Sequence, residues 1–238
     1  MKKLLFISNI CKNITNFHTA SLDAAIALGY EFHFAANFNN LPKETMDKYP
    51  NIHFHHIDLV RFPFNIRNVK AYEQLNNLIK KENISVIHCN TPIGGALGRL
   101  CGKKTKHIKI FYTAHGFHFY KGAPKKNWII FYQIEKVFSY VTDVLITINK
   151  EDYTFAKKHM NAKQVEYLPG VGIDTEKFWL ENFDEETKRA ELGITKNDLM
   201  ILSVGELNKN KNQEVIIRAI AKLNDSRIHY FIAGRGDK

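Results

Sequence analysis

Cysteine is scarce in this chain. Cys11, Cys89 and Cys101 are the only three in 238 residues. They are too few and too unevenly spaced for a disulfide framework or a cysteine-based zinc site, and a reducing, cytoplasmic setting fits them. No apolar run approaches the roughly 20 residues that a bilayer-spanning helix needs. The opening Met1-Lys-Lys-Leu-Leu-Phe-Ile-Ser8 stops at Asn9 and lacks a small-residue cleavage site, so it reads as a strand and not as a signal peptide. The loop after it carries no glycine, and the missing G-x-G-x-x-G counts against a nicotinamide-dependent oxidoreductase. No G-x-S-x-G elbow is present, which counts against a hydrolase. Internal repeats and low-complexity segments are absent as well.

What is present is ordinary globular material, 45% hydrophobic and 24% charged. The net charge of +10 directs attention to anionic partners: nucleic acid, an anionic membrane surface or a phosphate-bearing substrate. The lysines are scattered, apart from a local excess at Lys121, Lys125 and Lys126, and no nucleic-acid-binding motif occurs, so nucleic acid is not expected.

Strand and helix patterns alternate along the chain. Strands are expected at residues 3–8, 31–36, 52–57, 85–89, 108–113, 143–148 and 164–168. Helices are expected at about 19–28, 68–81, 96–102, 127–141 and 151–159. This β-α-β order predicts an α/β fold, a mostly parallel Rossmann-like sheet with helices on both faces. After Gly170 the periodicity fades. Residues 171–195 read as a linker and a charged helix. A new β-α-β unit then starts, with strands at 199–204 and 228–233 around a helix at 210–223. The expected domains are therefore 1–170, a linker to 195, and an incomplete second Rossmann-like domain over 196–238, because one β-α-β unit cannot bury both faces of its sheet.

Ligands of such sheets gather at the carboxyl ends of the strands. Four loops there carry chemistry. The first runs from Asn9 to His18. The second, Asn90-Thr-Pro-Ile-Gly-Gly95, offers backbone N–H groups at a helix start through Gly94 and Gly95, or else simply packs that helix tightly on the sheet. The third is Phe111-Tyr-Thr-Ala-His-Gly-Phe-His-Phe-Tyr120, where a buried strand breaks at His115-Gly116. His115 is the candidate acid–base or sugar-binding residue, with His118 beside it. The fourth, Gly205-Glu-Leu-Asn-Lys-Asn-Lys-Asn212, brings Lys209 and Lys211 to a helix start where a diphosphate could sit. Gly234-Arg-Gly236 allows a close backbone approach to a nucleotide. His53 and His55 share a strand face, but no carboxylate or cysteine partner is evident, so no metal site is expected. On the 127–141 helix, Ile130, Ile134, Val137, Phe138 and Val141 form the expected core stripe. Trp128 and Tyr132 lie opposite, on the side of Lys125, and suit a membrane interface.

Together these stretches resemble the family 4 glycosyltransferases of bacterial capsule and exopolysaccharide synthesis. The resemblance rests on Tyr112-Thr-Ala-His-Gly-Phe-His-Phe-Tyr-Lys-Gly-Ala-Pro124 with Glu135 and Thr147-Ile-Asn149, on His88-Cys-Asn-Thr-Pro-Ile-Gly-Gly95, on Pro169-Gly-Val-Gly-Ile-Asp174 and on Ser203-Val-Gly-Glu-Leu-Asn-Lys-Asn-Lys-Asn212. It implies a GT-B architecture, with two Rossmann-like domains, the first for the acceptor and the second for a nucleotide-sugar, UDP-linked by expectation. It implies retention of anomeric configuration without a metal or other cofactor. By resemblance, His115 matches the cleft histidine. Gly94, Gly95 and the loop ending at His18 line the same cleft. Lys211 matches the lysine that meets the donor diphosphate, with Gly205 before it and Gly234 and Gly236 near the nucleotide. Many members carry an arginine where this chain has Glu206, a loss that Lys209 would have to offset. The family's E-x7-E motif and its returning final helix would lie beyond residue 238.

The expected activity is transfer of a hexose or N-acetylhexosamine to a lipid-linked or polysaccharide acceptor. The protein would be cytoplasmic and peripheral on the inner face of the membrane through Lys121, Lys125, Lys126, Trp128 and Tyr132. The alternative is a catalytically incomplete fragment that binds acceptor or membrane only.

Overall fold

The computed structural model describes residues 1–105, 107–170, 172–173 and 175–236. Val171 and Asp174 of the expected linker, and Asp237 and Lys238 at the end, lie outside the described residues. Two compact units divide the chain, Met1–Asp174 and Thr175–Lys238.

The first unit is a seven-stranded parallel sheet. Its strands are β1 (Lys2–Ile10), β2 (Tyr30–Asn37), β3 (Ile52–His56), β4 (Val86–Asn90), β5 (Lys109–Ala114), β6 (Val144–Thr147) and β7 (Gln164–Tyr167), in the order β3-β2-β1-β4-β5-β6-β7. The order reverses between β1 and β4, and the crevice there is the default ligand position in open α/β sheets. The connecting helices are α1 (Asn16–Ala27), α2 (Lys43–Met46), α3 (Arg67–Lys81), α4 (Pro92–Lys103), α5 (Lys125–Asn127), α6 (Gln133–Ser139) and α7 (Lys150–His159). A five-residue π-turn, Trp128–Tyr132, joins α5 to α6.

The central strands β1, β2 and β4 are buried almost continuously, as strands covered on both faces must be, while successive side chains point to opposite faces. Leu5, Ile7, Ile87, Cys89, Ile110, Tyr112 and Leu145 point to one face and pack with α3, α4 and α7. Phe6, Phe32 and Phe34 point to the other and pack with Leu22 and Ala25 of α1. All three cysteines are buried free thiols.

Four expectations are corrected. Helix α4 starts at Pro92, not Ala96, because proline suits the first helical turn, and the helix expected at 210–223 starts at Gln213, because Asn212 before it takes a left-handed conformation at φ +50°. Helix α1 starts at Asn16, not Thr19, because the side chains of Thr15 and His18 form a reciprocal cap that opens the helix three residues earlier. The 125–139 helix presents the face opposite to the one expected. Trp128, Phe131 and Tyr132 pack against the core, and the Trp128 and Tyr132 rings each lie 5.5 Å from Phe119. Ile130, Ile134 and Val137 are exposed instead. Apolar residues occupy both sides of this helix, so periodicity alone does not orient it. The aromatic bed of Phe117, Phe119 and Phe155 does, by taking the larger rings.

Helix α4 lies close on the sheet because its inner face is glycine. A Cβ on Gly95 would stand 2.5 Å from Tyr112 Cε2, one on Gly98 2.4 Å from Cys89 Sγ, and one on Gly102 2.6 Å from Ile110 Cδ1.

In the second unit, α8 (Glu185–Glu191) is capped by Asp184, whose carboxylate accepts from the Thr187 N–H. Strands β8 (Leu199–Val204) and β9 (Ile228–Ala233) pair in parallel around α9 (Gln213–Leu223). Leu199, Leu202 and Val204 of this small sheet remain exposed, as do Val215 and Ile217 of α9.

Replacing Gly95 with alanine is expected to destabilise the chain by about 1–3 kcal/mol, the usual cost of overpacking. A fall in the urea unfolding midpoint at unchanged slope is the readout. An unchanged midpoint would show that α4 can lift off Tyr112 without cost.

Candidate functional site

The mouth of the first sheet collects polar groups from three strand ends. Asn9 comes from β1, Asn90 ends β4 and His115 follows β5. Gly116, at φ +131°, turns the chain out of the sheet in a conformation that suits glycine. The N–H of Phe117 then donates to Asp152 Oδ2 at 3.0 Å, and Asp152 is itself held by Asn149 Nδ2 at 2.8 Å. These bonds and the buried, stacked rings of Phe117 and Phe119 fix the loop, leaving His115 and His118 on the open side.

His115 Nε2 lies 3.3 Å from Asn90 Oδ1, and its ring stands edge-on to Phe17 at 4.5 Å. With Asn90 Oδ1 accepting, the proton sits on Nε2 and the Nδ1 lone pair is left for a ligand. Crowding by these neighbours lowers the His115 pKa from its ordinary value of 6.5, although the outer edge of the residue stays open to solvent. Asn90 is fully buried, yet its Nδ2 has no hydrogen-bond partner among the described residues, and neither has Asn9 Oδ1. Orphaned buried groups at a switch point call for a ligand or a water.

His18 sits one layer deeper. Its Nδ1 accepts from the Thr15 N–H at 3.1 Å, its ring packs on Phe34 at 5.1 Å, and it faces the mouth only through Phe17. Gly94 and Gly95 are buried by packing, and α4 contributes Pro92, Ile93 and Ala96 to the cavity wall. His118 lies against Phe131 at 4.9 Å. His115 and His118 thus share a cavity of about 730 Å³ with Tyr112, Glu135, Ile130, Ile134 and Phe64, and its wall is mostly apolar.

Arg99 was not legible as part of this region. It is buried, its guanidinium lies 3.9 Å from the Tyr112 ring centroid, and it pairs with both oxygens of Glu135 at 2.8 and 3.1 Å. Glu135 also accepts from the Tyr112 hydroxyl at 3.3 Å. The signal was an arginine in the middle of a helix whose other residues, up to the terminal Lys103, are small or apolar. Charges almost never go there without a partner.

Within the second unit, Gly205, Lys211, Gly234 and Gly236 converge. A Cβ on Gly234 would stand 1.8 Å from the carbonyl oxygen of Gly205, so only glycine fits there. The Lys211 stem runs 3.7 Å from the Cβ position of Gly205, and Gly236 bridges Leu207. Lys209 is exposed in the loop. Glu206 accepts from Asn208 Nδ2 at 3.1 Å. A lysine and a tight glycine pair beside the start of α9 provide for an anion.

A doubly wound sheet with ligand-ready polar groups at its carboxyl edge defines a Rossmann-like α/β protein of the GT-B kind. Solved structures bear out that fold. A sucrose-phosphate synthase from Thermosynechococcus elongatus superposes with a TM-score of 0.69 at 13% identity, over 98% of this chain and 62% of that one. S. aureus MnaA in its UDP co-structure superposes at 0.65 and 12% identity, again over 98% and 62%. The model of the "Glycosyl transferase 4-like" family matches residues 3–149, and that of "Glycosyl transferases group 1" matches residues 184–238. The chain belongs to the glycosyl transferase 4-like family. It is 36% identical to the "Putative glycosyltransferase EpsD" of Bacillus subtilis (strain 168), over 99% of this chain and 62% of that protein. It is 27% identical to an Escherichia coli "UDP-Gal:alpha-D-GlcNAc-diphosphoundecaprenol alpha-1,3-galactosyltransferase", over 62% of this chain and 38% of that protein. The chain thus spans less than two thirds of the length of these relatives.

Burial holds the pKa of His18 and of His88 down to about 4, with the charge of His115 adding to the effect. Unfolded, both rings take up a proton near 6.5. The unfolded state therefore gains protons first as pH falls, so this stability is complete above pH 6.5 and is lost between there and about 4. Each ring contributes up to roughly 3 kcal/mol. The urea midpoint should fall across that window, and less steeply in His88→Asn. A midpoint that stays flat would contradict the neutral, buried rings.

Proposed function

We propose that this chain carries the acceptor side, and the beginning of the donor side, of a retaining glycosyltransferase. It would move a hexose or N-acetylhexosamine from a nucleotide-sugar, UDP-linked, to a lipid-linked or polysaccharide acceptor in cell-surface glycan synthesis, with no metal in the transfer step. The observation that carries the reading is His115. It stands at the sheet's switch-point mouth with Nδ1 free to accept, oriented by Asn90, over a largely apolar cavity. There it would accept a hydrogen bond from the attacking acceptor hydroxyl. Lys211, with the backbone at Gly205 and Gly234, would neutralise the departing diphosphate. The relative whose name specifies a diphosphoundecaprenol acceptor supports the lipid-linked choice.

In the protein expressed from its complete natural reading frame, His115→Ala should lower kcat/KM by about 10²–10⁴. Lys211→Ala should lower kcat as well as raise the donor KM, because the charge on the diphosphate grows as it departs. Release of UDP from UDP-sugars in the presence of a lipid-linked acceptor reads both. If His115→Ala turns over like the parent, the histidine has no part in transfer.

No helix among the described residues is long and apolar enough to cross a membrane. Peripheral attachment at the inner face of the cytoplasmic membrane is the localisation that fits a lipid-linked acceptor. The surface for it differs from the expected one, since Trp128 and Tyr132 turn inward. Ile129, Ile130, Ile134 and Val137 are exposed in their place. Phe64 shares the cavity mouth with Ile130 and Ile134, and Lys121, Lys125 and Lys126 are exposed alongside. Apolar side chains ringed by lysines match an anionic bilayer surface. Co-flotation with vesicles containing anionic phospholipid should fall about tenfold in Ile130→Glu/Ile134→Glu, each charge costing up to about 1 kcal/mol near a bilayer interface. Equal flotation of parent and variant would remove this face from consideration.

A further inference from the structure

At the opposite end of the sheet from His115, the starts of β2 and β3 carry a second cluster. His53 has a carboxylate partner after all, because the β2–β3 register sets His33 opposite His53, with Glu31 two residues earlier on the same face. We propose that Glu31, His33 and His53 bind a first-row divalent cation of the zinc class. Glu31 Oε1 lies 3.0 Å from His33 Nε2 and 3.3 Å from His53 Nε2, and one ligand atom from each residue falls within 4.8 Å of the other two. Ligand atoms about 2.1 Å from a tetrahedral ion stand about 3.4 Å apart. Two of the three edges are therefore already near coordination length.

The third edge closes by rotating His53. At present the two imidazoles stack with centroids 4.8 Å apart and planes 24° apart. The His53 side chain is 52% exposed and can turn its Nε2 toward the ion, whereas His33, at 2%, is the fixed floor of the site.

A supporting shell exists. His33 Nδ1 lies 2.9 Å from His55 Nε2, so His33 can donate from Nδ1 and keep its Nε2 lone pair for the metal. Metal-bound histidines characteristically make such a bond. The half-exposed rim leaves an entry path and a fourth position for water. Lys3 opposes the ion, since its ammonium lies 3.6 Å from Glu31. It is held more closely by Glu82, at 2.8 Å, and the two carboxylates outnumber the one ammonium. Two imidazoles and one carboxylate favour zinc, nickel or copper over magnesium or calcium. Bound there, the ion would cross-link β2 to the edge strand β3 and stabilise the sheet, with no part in sugar transfer.

The test is calorimetric titration of the 238-residue chain with Zn²⁺ in a non-chelating buffer, beside Glu31→Gln and His53→Ala. Both substitutions are at solvent-accessible side chains, and circular dichroism checks their folding. One ion per chain is expected, with affinity at least tenfold weaker in each variant. A rise in Tm of about 5 °C at a hundredfold excess over Kd is expected in the parent and not in the variants. Absence of saturable binding by the parent would overturn the proposal. So would zinc binding of equal strength in both variants, because the ion would then sit on other histidines.

Discussion

The close seat of α4 on β4 and β5 is the constraint on which the rest of the first unit depends. Glycines at 95, 98 and 102 let the helix lie on Tyr112, Cys89 and Ile110 with no side chain between. Carried at that depth, Arg99 cannot reach water. It is satisfied by the Gly95 carbonyl at 2.9 Å, the Tyr112 ring and the paired oxygens of Glu135. Glu135 in turn holds the 125–139 helix over the aromatic bed and closes one wall of the cavity beside His115. Small residues in one helix thus set the position of a charge, and the charge sets the position of the next helix.

Much of the fold was legible because the central parallel strands, buried on both faces, read as short apolar runs, and the nine strands among the described residues fall at the expected positions. The boundary of α1 was not legible. Its N-terminal cap uses His18 where glutamate or glutamine is usual, so the local pattern gives no warning. The orientation of the 125–139 helix was not legible either. It carries an aliphatic stripe and an aromatic stripe, and the choice between them is made by Phe119, Phe155 and Arg99, which are remote in sequence. Tertiary context decided what propensity left open.

The candidate site shows the same division. His115 was legible from its strand-end position before a glycine. That Asn90 orients it, and that Phe17 separates it from His18, depends on which strands are neighbours. The convergence of Gly205 with Gly234 likewise arises from the β8–β9 register. The Glu31–His33–His53 group was hidden for the same reason, since its members lie on two strands.

The central claim is that His115, oriented by Asn90, acts on the acceptor during sugar transfer. The pH dependence of kcat/KM for the protein from its full reading frame tests this most directly, because that profile reports groups of the free enzyme. Burial lowers the His115 pKa below 6.5. The account predicts an acid limb below pH 6.5 that disappears in His115→Gln. An acid limb that persists unchanged in that variant would contradict it.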